Sequence, residues 1–206
     1  MKRIFSLLLA LLLLALLPPA ARAEDLAVES RACLLMEKTT GQVLYAVNEH
    51  EQLEPASVTK IMTLLLVMEA IDAGTLGYDD TVTASAYACS MGGSQIWLKE
   101  NEQMTVHDLL KAVCVASAND ASVALAEHIA GSAEAFVEKM NQRAGELGMN
   151  DTTFRNPTGL PADGHVTSAY DIAVMSRELI LHHPDIRQFT TIWMDSLRNG
   201  EFGLNN

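Results

Sequence analysis

Pro55-Ala56-Ser57-Val58-Thr59-Lys60-Ile61-Met62-Thr63-Leu64-Leu65-Leu66-Val67-Met68 is the stretch from which the rest of the chain can be read. Beyond Lys60 it is apolar on nearly every face, and a helix of that kind has to be enclosed by other elements of a domain. Pro55 opens the helix, which runs to about Ala73 and is closed by Gly74. The same stretch sets the hydroxyl of Ser57 and the amine of Lys60 three residues apart on one face of the first turn. At that spacing the amine can take the hydroxyl proton, which is the Ser-Lys form of an activated nucleophile. The unpaired N–H groups and positive dipole end of a helix start also favour negative charge on an attacked carbonyl, with the N–H of Ser57 as a donor.

An ordinary lysine amine, with a pKa of about 10.4, is neutral only about once in 2,500 at pH 7, equivalent to about 4.6 kcal/mol of barrier. Lys60 therefore needs a depressed pKa. Burial beside the apolar helix and a second cation are expected to supply it, the second cation being a lysine.

Upstream, residues 31 to 48 alternate around Thr39-Thr40-Gly41 and predict a β-hairpin. Downstream, Met91-Gly92-Gly93-Ser94 lies in a loop, and Gln95-Ile96-Trp97-Leu98 is compatible with a short strand. Thr105-Val106-His107-Asp108 caps a helix through about Val115. Further helices are predicted from Asn119 to Ala130, from Ser132 to Leu147 and from a Ser168 cap to His182, the first two ended by Gly131 and Gly148. Pro157-Thr158-Gly159-Leu160-Pro161 is a turn-rich connection. Between two of the helices fall Ser117, Ala118 and Asn119, where a hydroxyl and an amide can project into a cleft. Ser117 can pass a proton between Lys60 and a leaving amine, and Asn119 can hold a substrate's peptide backbone.

The composition agrees with a catalytic, exported protein. The chain has 206 residues, 49% hydrophobic and 19% charged, enough for one sizeable domain and too apolar for intrinsic disorder. Fourteen basic and 26 acidic residues give a net charge of −12, which argues against a nucleic-acid partner. Lys2 and Arg3, the apolar run Ile4 to Leu17, and Ala21-Arg22-Ala23 predict a signal peptide over residues 1–23. The remaining 24–206 segment carries 11 basic and 26 acidic residues, a net charge of −15. Cys33, Cys89 and Cys114 are an odd number without a CxxC, and are expected to be buried packing groups. The six histidines lack metal-ligand spacing, and neither H-E-x-x-H nor G-x-S-x-G occurs, so no metal or other cofactor is expected.

With these residues in view, Pro55-Ala56-Ser57-Val58-Thr59-Lys60, Ser117-Ala118-Asn119-Asp120, Ser90-Met91-Gly92-Gly93-Ser94-Gln95-Ile96 and Phe154-Arg155-Asn156-Pro157-Thr158-Gly159-Leu160 resemble the serine-type D-alanyl-D-alanine carboxypeptidases, the low-molecular-mass penicillin-binding proteins. S-x-x-K, S-D-N and K-T-G form a related motif set in penicillin-binding proteins and class A β-lactamases. The resemblance implies an α/β (α+β) fold of the β-lactamase/transpeptidase type: an antiparallel sheet flanked by helices, with a mostly helical subdomain. It implies Ser57 as acyl-enzyme nucleophile, Lys60 as general base, and Ser117 and Asn119 completing the cleft. The partner implied is a peptidoglycan stem peptide ending in D-Ala-D-Ala, with β-lactams as covalent inhibitors.

The third motif, K-T-G, is missing from the 206 residues; Lys38-Thr39-Thr40-Gly41 only approaches it. The chain is accordingly expected to be the N-terminal part of the catalytic domain, lacking the final strands, the second cation and any C-terminal membrane-associating region. As a fragment it is expected to lack useful activity, with Lys60 drifting back toward its normal pKa and the 61–68 helix partly uncovered. Two rivals remain. A class A β-lactamase needs a carboxylate for deacylation, and Glu146 in Glu146-Leu147-Gly148-Met149-Asn150 matches superficially, although Gly148 marks a helix end there. A non-catalytic penicillin-sensing or cell-wall-binding module of the same fold would acylate without hydrolysing peptide.

Overall fold

Residues 28–206 are described by the structure, a computed structural model, and the expected signal segment lies outside them. Strand β1 (Cys33–Met36) pairs antiparallel with β2 (Val43–Val47), Cys33 facing Val47 and Leu35 facing Tyr45, with a bulge between Leu35 and Met36. This is the expected hairpin, turned at Gly41 with φ +75°. Leu35 and Leu44 keep more than half of their surface in solvent.

A 3₁₀ turn, Ala56–Thr59, leads into helix α1 (Lys60–Asp72). Met62, Leu65, Val67 and Met68 of α1 are completely buried, as a helix without a polar face requires. The cover is helical: α4 (Asn119–Ala130), α5 (Ala133–Glu146) and α6 (Ala169–His182) all pack on α1. Against the expectation that residues 61–68 would lie partly uncovered, this packing buries six of the eight, and Ile61 and Leu66 stay partly exposed. Arg143 of α5 strengthens it, reaching Glu69 of α1 and Glu178 of α6 at 2.8 Å each.

The helix boundaries follow the cap chemistry. Ser132 and Ser168 accept from the backbone N–H groups of Ala135 and Asp171, and Thr105 does the same for Asp108 at the start of α3 (Val106–Ala116). Gly131 ends α4 in the left-handed region, and Gly148 follows α5 in the same conformation. Short helices α2 (Ala86–Cys89) and α7 (Arg187–Thr190) fill the connections.

The antiparallel pairing is divided into three two-stranded ribbons among the described residues. Beside β1–β2 these are β3 (Thr81–Thr83) with β4 (Gln103–Thr105), and β5 (Met194–Leu197) with β6 (Phe202–Asn205). The β3–β4 ribbon has no sequence signature because three residues are too few to show alternation. Residues Gln95 to Leu98 are not a strand. The N–H groups of Ile96 and Leu98 turn to a buried carboxylate instead of a neighbouring strand, as described below.

Candidate active site

The chain enters the site through Pro55, and Ala56, at φ +46°, opens a 3₁₀ turn that carries Ser57, not the α-helix expected. In a 3₁₀ turn side chains at i and i+3 eclipse, which stacks Ser57 and Lys60 more directly than an α-turn does. Ser57 is exposed, whereas Lys60 keeps only 4% of its surface. Lys60 Nζ lies 3.2 Å from Ser57 Oγ and donates to the Thr158 carbonyl at 2.7 Å.

Burial lowers the Lys60 pKa to about 8. Desolvation is the whole cause. The expected second cation is not among the causes, and the expected drift back to an ordinary value is corrected: burial among the helices and against the Thr158 loop keeps the amine depressed. With that value about one Lys60 in ten is neutral at pH 7, against about one in 2,500 for an ordinary lysine.

The Thr158 carbonyl is positioned by a loop that sequence marks as a turn without a role. Asn156 Oδ1 accepts from Thr158 N–H, Thr158 Oγ1 and Gly159 N–H, at 3.1, 2.8 and 2.7 Å, while its Nδ2 donates to the Leu160 carbonyl. Thr63 Oγ1 of α1 donates to the Pro157 carbonyl at 2.8 Å. Gly159, at φ +84°, passes so close to the Ala56 carbonyl that a Cβ there would overlap it. Between these walls lies a cavity of about 160 Å³ lined by Glu54, Pro55, Ala56, His165 and residues 159–162.

Ser117 caps α3 in the left-handed region, φ 53°, and its hydroxyl makes no hydrogen bond among the described residues. It therefore has no direct link to Lys60 in this structure. Asn119 opens α4, with its N–H donating to the Ser94 carbonyl and its side-chain amide to the Gly92 carbonyl, both at 2.7 Å. Asn119 Oδ1 is buried without a partner. A Cβ on Gly93 would lie 2.9 Å from Asn119 Nδ2 and 3.7 Å from Leu160, so the 91–94 loop joins the Asn119 motif to the Thr158 loop.

Asp120, to which the sequence assigns no functional role, fixes that loop. Its buried carboxylate accepts from the N–H groups of Ile96, Leu98 and Ala121 at 3.2, 3.0 and 2.9 Å. Arg198 grips the other side, donating to the Ile96 carbonyl at 2.8 Å while pairing with Glu102. Trp97 between them is held at φ +59° with 67% of its surface exposed. An Asp120→Asn change turns an amide donor toward a backbone donor and is expected to cost about 2 kcal/mol. Chemical denaturation checks it, and an unchanged midpoint would show that the loop stands without the carboxylate.

The remaining sequence candidates fall elsewhere. The Cys114 thiol is pushed up to about 12 by burial and cannot serve as a thiolate. All three cysteines are free and half-buried, less enclosed than expected. Glu146 is ion-paired with Arg143 at 3.4 Å, facing a separate groove with Glu69 and Lys139. It does not line the Ser57 cleft, which removes the support for a β-lactamase.

A sequence model of the peptidase S11 family, D-alanyl-D-alanine carboxypeptidase, matches residues 19–206. The chain belongs to this family. Among carboxypeptidase relatives, DacF of Bacillus subtilis strain 168 is 50% identical over 205 residues, covering 96% of this chain and 52% of DacF. DacD of Escherichia coli K12 is 44% identical over 164 residues, covering 77% of this chain and 42% of DacD. The crystal structure of penicillin binding protein 6B from Escherichia coli aligns with a TM-score of 0.84 at 38% identity, covering 92% of this chain and 61% of that one. DacD from Francisella tularensis aligns with a TM-score of 0.84 at 36% identity, covering 88% and 44%. The carboxypeptidase-family chain spans about half the length of the curated relatives it matches. Its fold is that of the penicillin-binding proteins.

Proposed function

We propose that this protein is a serine-type D-Ala-D-Ala carboxypeptidase that removes the terminal D-alanine of a peptidoglycan stem peptide through an acyl-enzyme on Ser57. The observation that carries the reading is the buried Lys60 amine, 3.2 Å from an exposed Ser57 hydroxyl and with its pKa lowered to about 8. Neutral Lys60 takes the Ser57 proton as Oγ attacks the penultimate D-alanine carbonyl, and the oxyanion forms beside the Ser57 N–H. The amide C–N bond then breaks, the proton passes to the leaving amine, and D-alanine departs from a Ser57 ester. Ser117 hands on that proton once substrate occupies the cleft, and Asn119 holds the stem peptide's backbone. Water then splits the ester, releasing the shortened peptide and restoring the Ser57 hydroxyl. β-Lactams act as covalent inhibitors by opening their ring on the same oxygen. The work is done outside the cytoplasm, after removal of residues 1–23.

The test uses the full natural chain. Mass spectrometry of a penicillin adduct is expected to place the added mass on the peptide containing Ser57, in a protein beginning at Glu24. D-alanine release from a diacetyl-Lys-D-Ala-D-Ala peptide is expected alongside it. An adduct on another residue would overturn the nucleophile, and acylation without D-alanine release would favour the penicillin-sensing reading.

A further inference from the structure

We propose that His165 is a positioning residue for the Ser57–Lys60 pair, its imidazole bracing the nucleophile turn against the loop that carries the Thr158 carbonyl. The proposal rests on Ser57 being the acylated residue. His165 Nε2 lies 2.8 Å from Thr59 Oγ1, and its Nδ1 lies 3.0 Å from the backbone nitrogen of Arg155. A backbone N–H can only donate, so Nδ1 accepts, the ring proton sits on Nε2, and Nε2–H donates to the Thr59 hydroxyl. One neutral imidazole thus spans the two walls of the site. Thr59 lies between Ser57 and Lys60 in the chain, and Arg155 is three residues before Thr158.

The Thr59 end of the brace is dry, since Thr59 and His165 are both buried. The Phe154 ring packs edge-on to the imidazole with centroids 6.0 Å apart. Burial, and then the Arg155 charge, hold the His165 pKa below its ordinary value, with Glu54 opposing them, so the ring stays in the accepting form. Protonation would turn Nδ1 into a donor facing the Arg155 N–H and open the brace. His165 also lines the cavity between Pro55-Ala56 and residues 159–162, so loss of the brace separates the walls next to Ser57. Catalytic geometry is sensitive to displacements of about 1 Å.

The groups bonded to Lys60 Nζ are uncharged, the Ser57 hydroxyl and the Thr158 carbonyl. Moving the Thr158 loop away therefore admits water to the amine and returns its pKa toward the ordinary value. The experiment compares the full natural chain with its His165→Asn and Thr59→Val variants, using a labelled penicillin over a range of pH. Both variants are expected to acylate about tenfold more slowly, with labelling at saturation retained and the pH limb of acylation moved above 8. A merely structural histidine would lower the fraction of protein that labels and leave that limb in place, which would overturn the proposal. Unchanged rates in both variants would overturn it as well. If the unmodified protein fails to label at Ser57, the assignment of the nucleophile falls first and this inference with it. Normal labelling there with unaltered variants rejects His165 alone.

Discussion

Acylation by a labelled penicillin is expected to fall by a factor of about 10² to 10⁴ in the Lys60→Met variant, the range a positioned general base contributes. Methionine keeps the length and the apolar stem while removing the amine. In the unmodified protein the rate should climb about tenfold per pH unit up to about 8, where the amine becomes mostly neutral, and the variant should lose that limb. Stability supplies an independent readout. The folded-state pKa of Lys60 lies below its unfolded value of 10.5, so between about 8 and 10.5 the unfolded chain holds a proton that the folded one has released. Relative stability from this group is fully present above 10.5 and is lost as pH falls through about 8, a swing on the order of 3 kcal/mol. The difference in unfolding free energy between the two proteins should change across that window and be flat below it. A variant that acylates at the original rate, or a flat difference throughout, would remove Lys60 from the mechanism.

The Gly159→Ala variant is expected to suffer a loss of stability on the order of 4 kcal/mol or more, because the new methyl collides with main chain that cannot step aside. Its Cβ would overlap the carbonyl carbon and oxygen of Ala56 and stand 3.0 Å from the Ser57 nitrogen. Ala56 is already held at φ +46°, so the turn has no relaxed conformation to yield into. The Thr158 loop must then leave the Ser57 turn, taking with it the carbonyl that receives Lys60. Gly148→Ala provides the scale. Gly148 also has positive φ, +72°, but open space around its would-be Cβ, and the change should cost only about 1 kcal/mol. Denaturant midpoints of the two variants, measured beside penicillin acylation, decide the matter. Equal destabilisation would mean that backbone conformation alone, and not contact with Ala56, fixes Gly159.

Local chemistry explains which parts of the molecule are legible in its sequence. The β1–β2 hairpin, α3 through α6 and their Ser, Thr and Gly caps follow from hydrogen bonds within a few residues, and their limits fall close to the expected ones. The Ser57 and Lys60 pairing is legible for the same reason, three residues of separation within one turn. Trp97 shows the opposite case. Its neighbours Ile96 and Leu98 look like a strand in sequence, yet their N–H groups go to Asp120, more than twenty residues away. β-Propensity is weak enough for one buried carboxylate to override it.

The enclosed helix α1, the run of capped helices around it and the Ser57–Lys60 pairing are written in the order of the residues, because each depends on periodicity or on neighbours one turn apart. What depresses the Lys60 pKa, which carbonyl receives its amine, and why Gly159 and His165 stand where they do emerge only once the chain has packed. Those outcomes depend on desolvation and on contacts between segments about a hundred residues apart, whose geometry is set by how the helices pack and has no local signature in the chain.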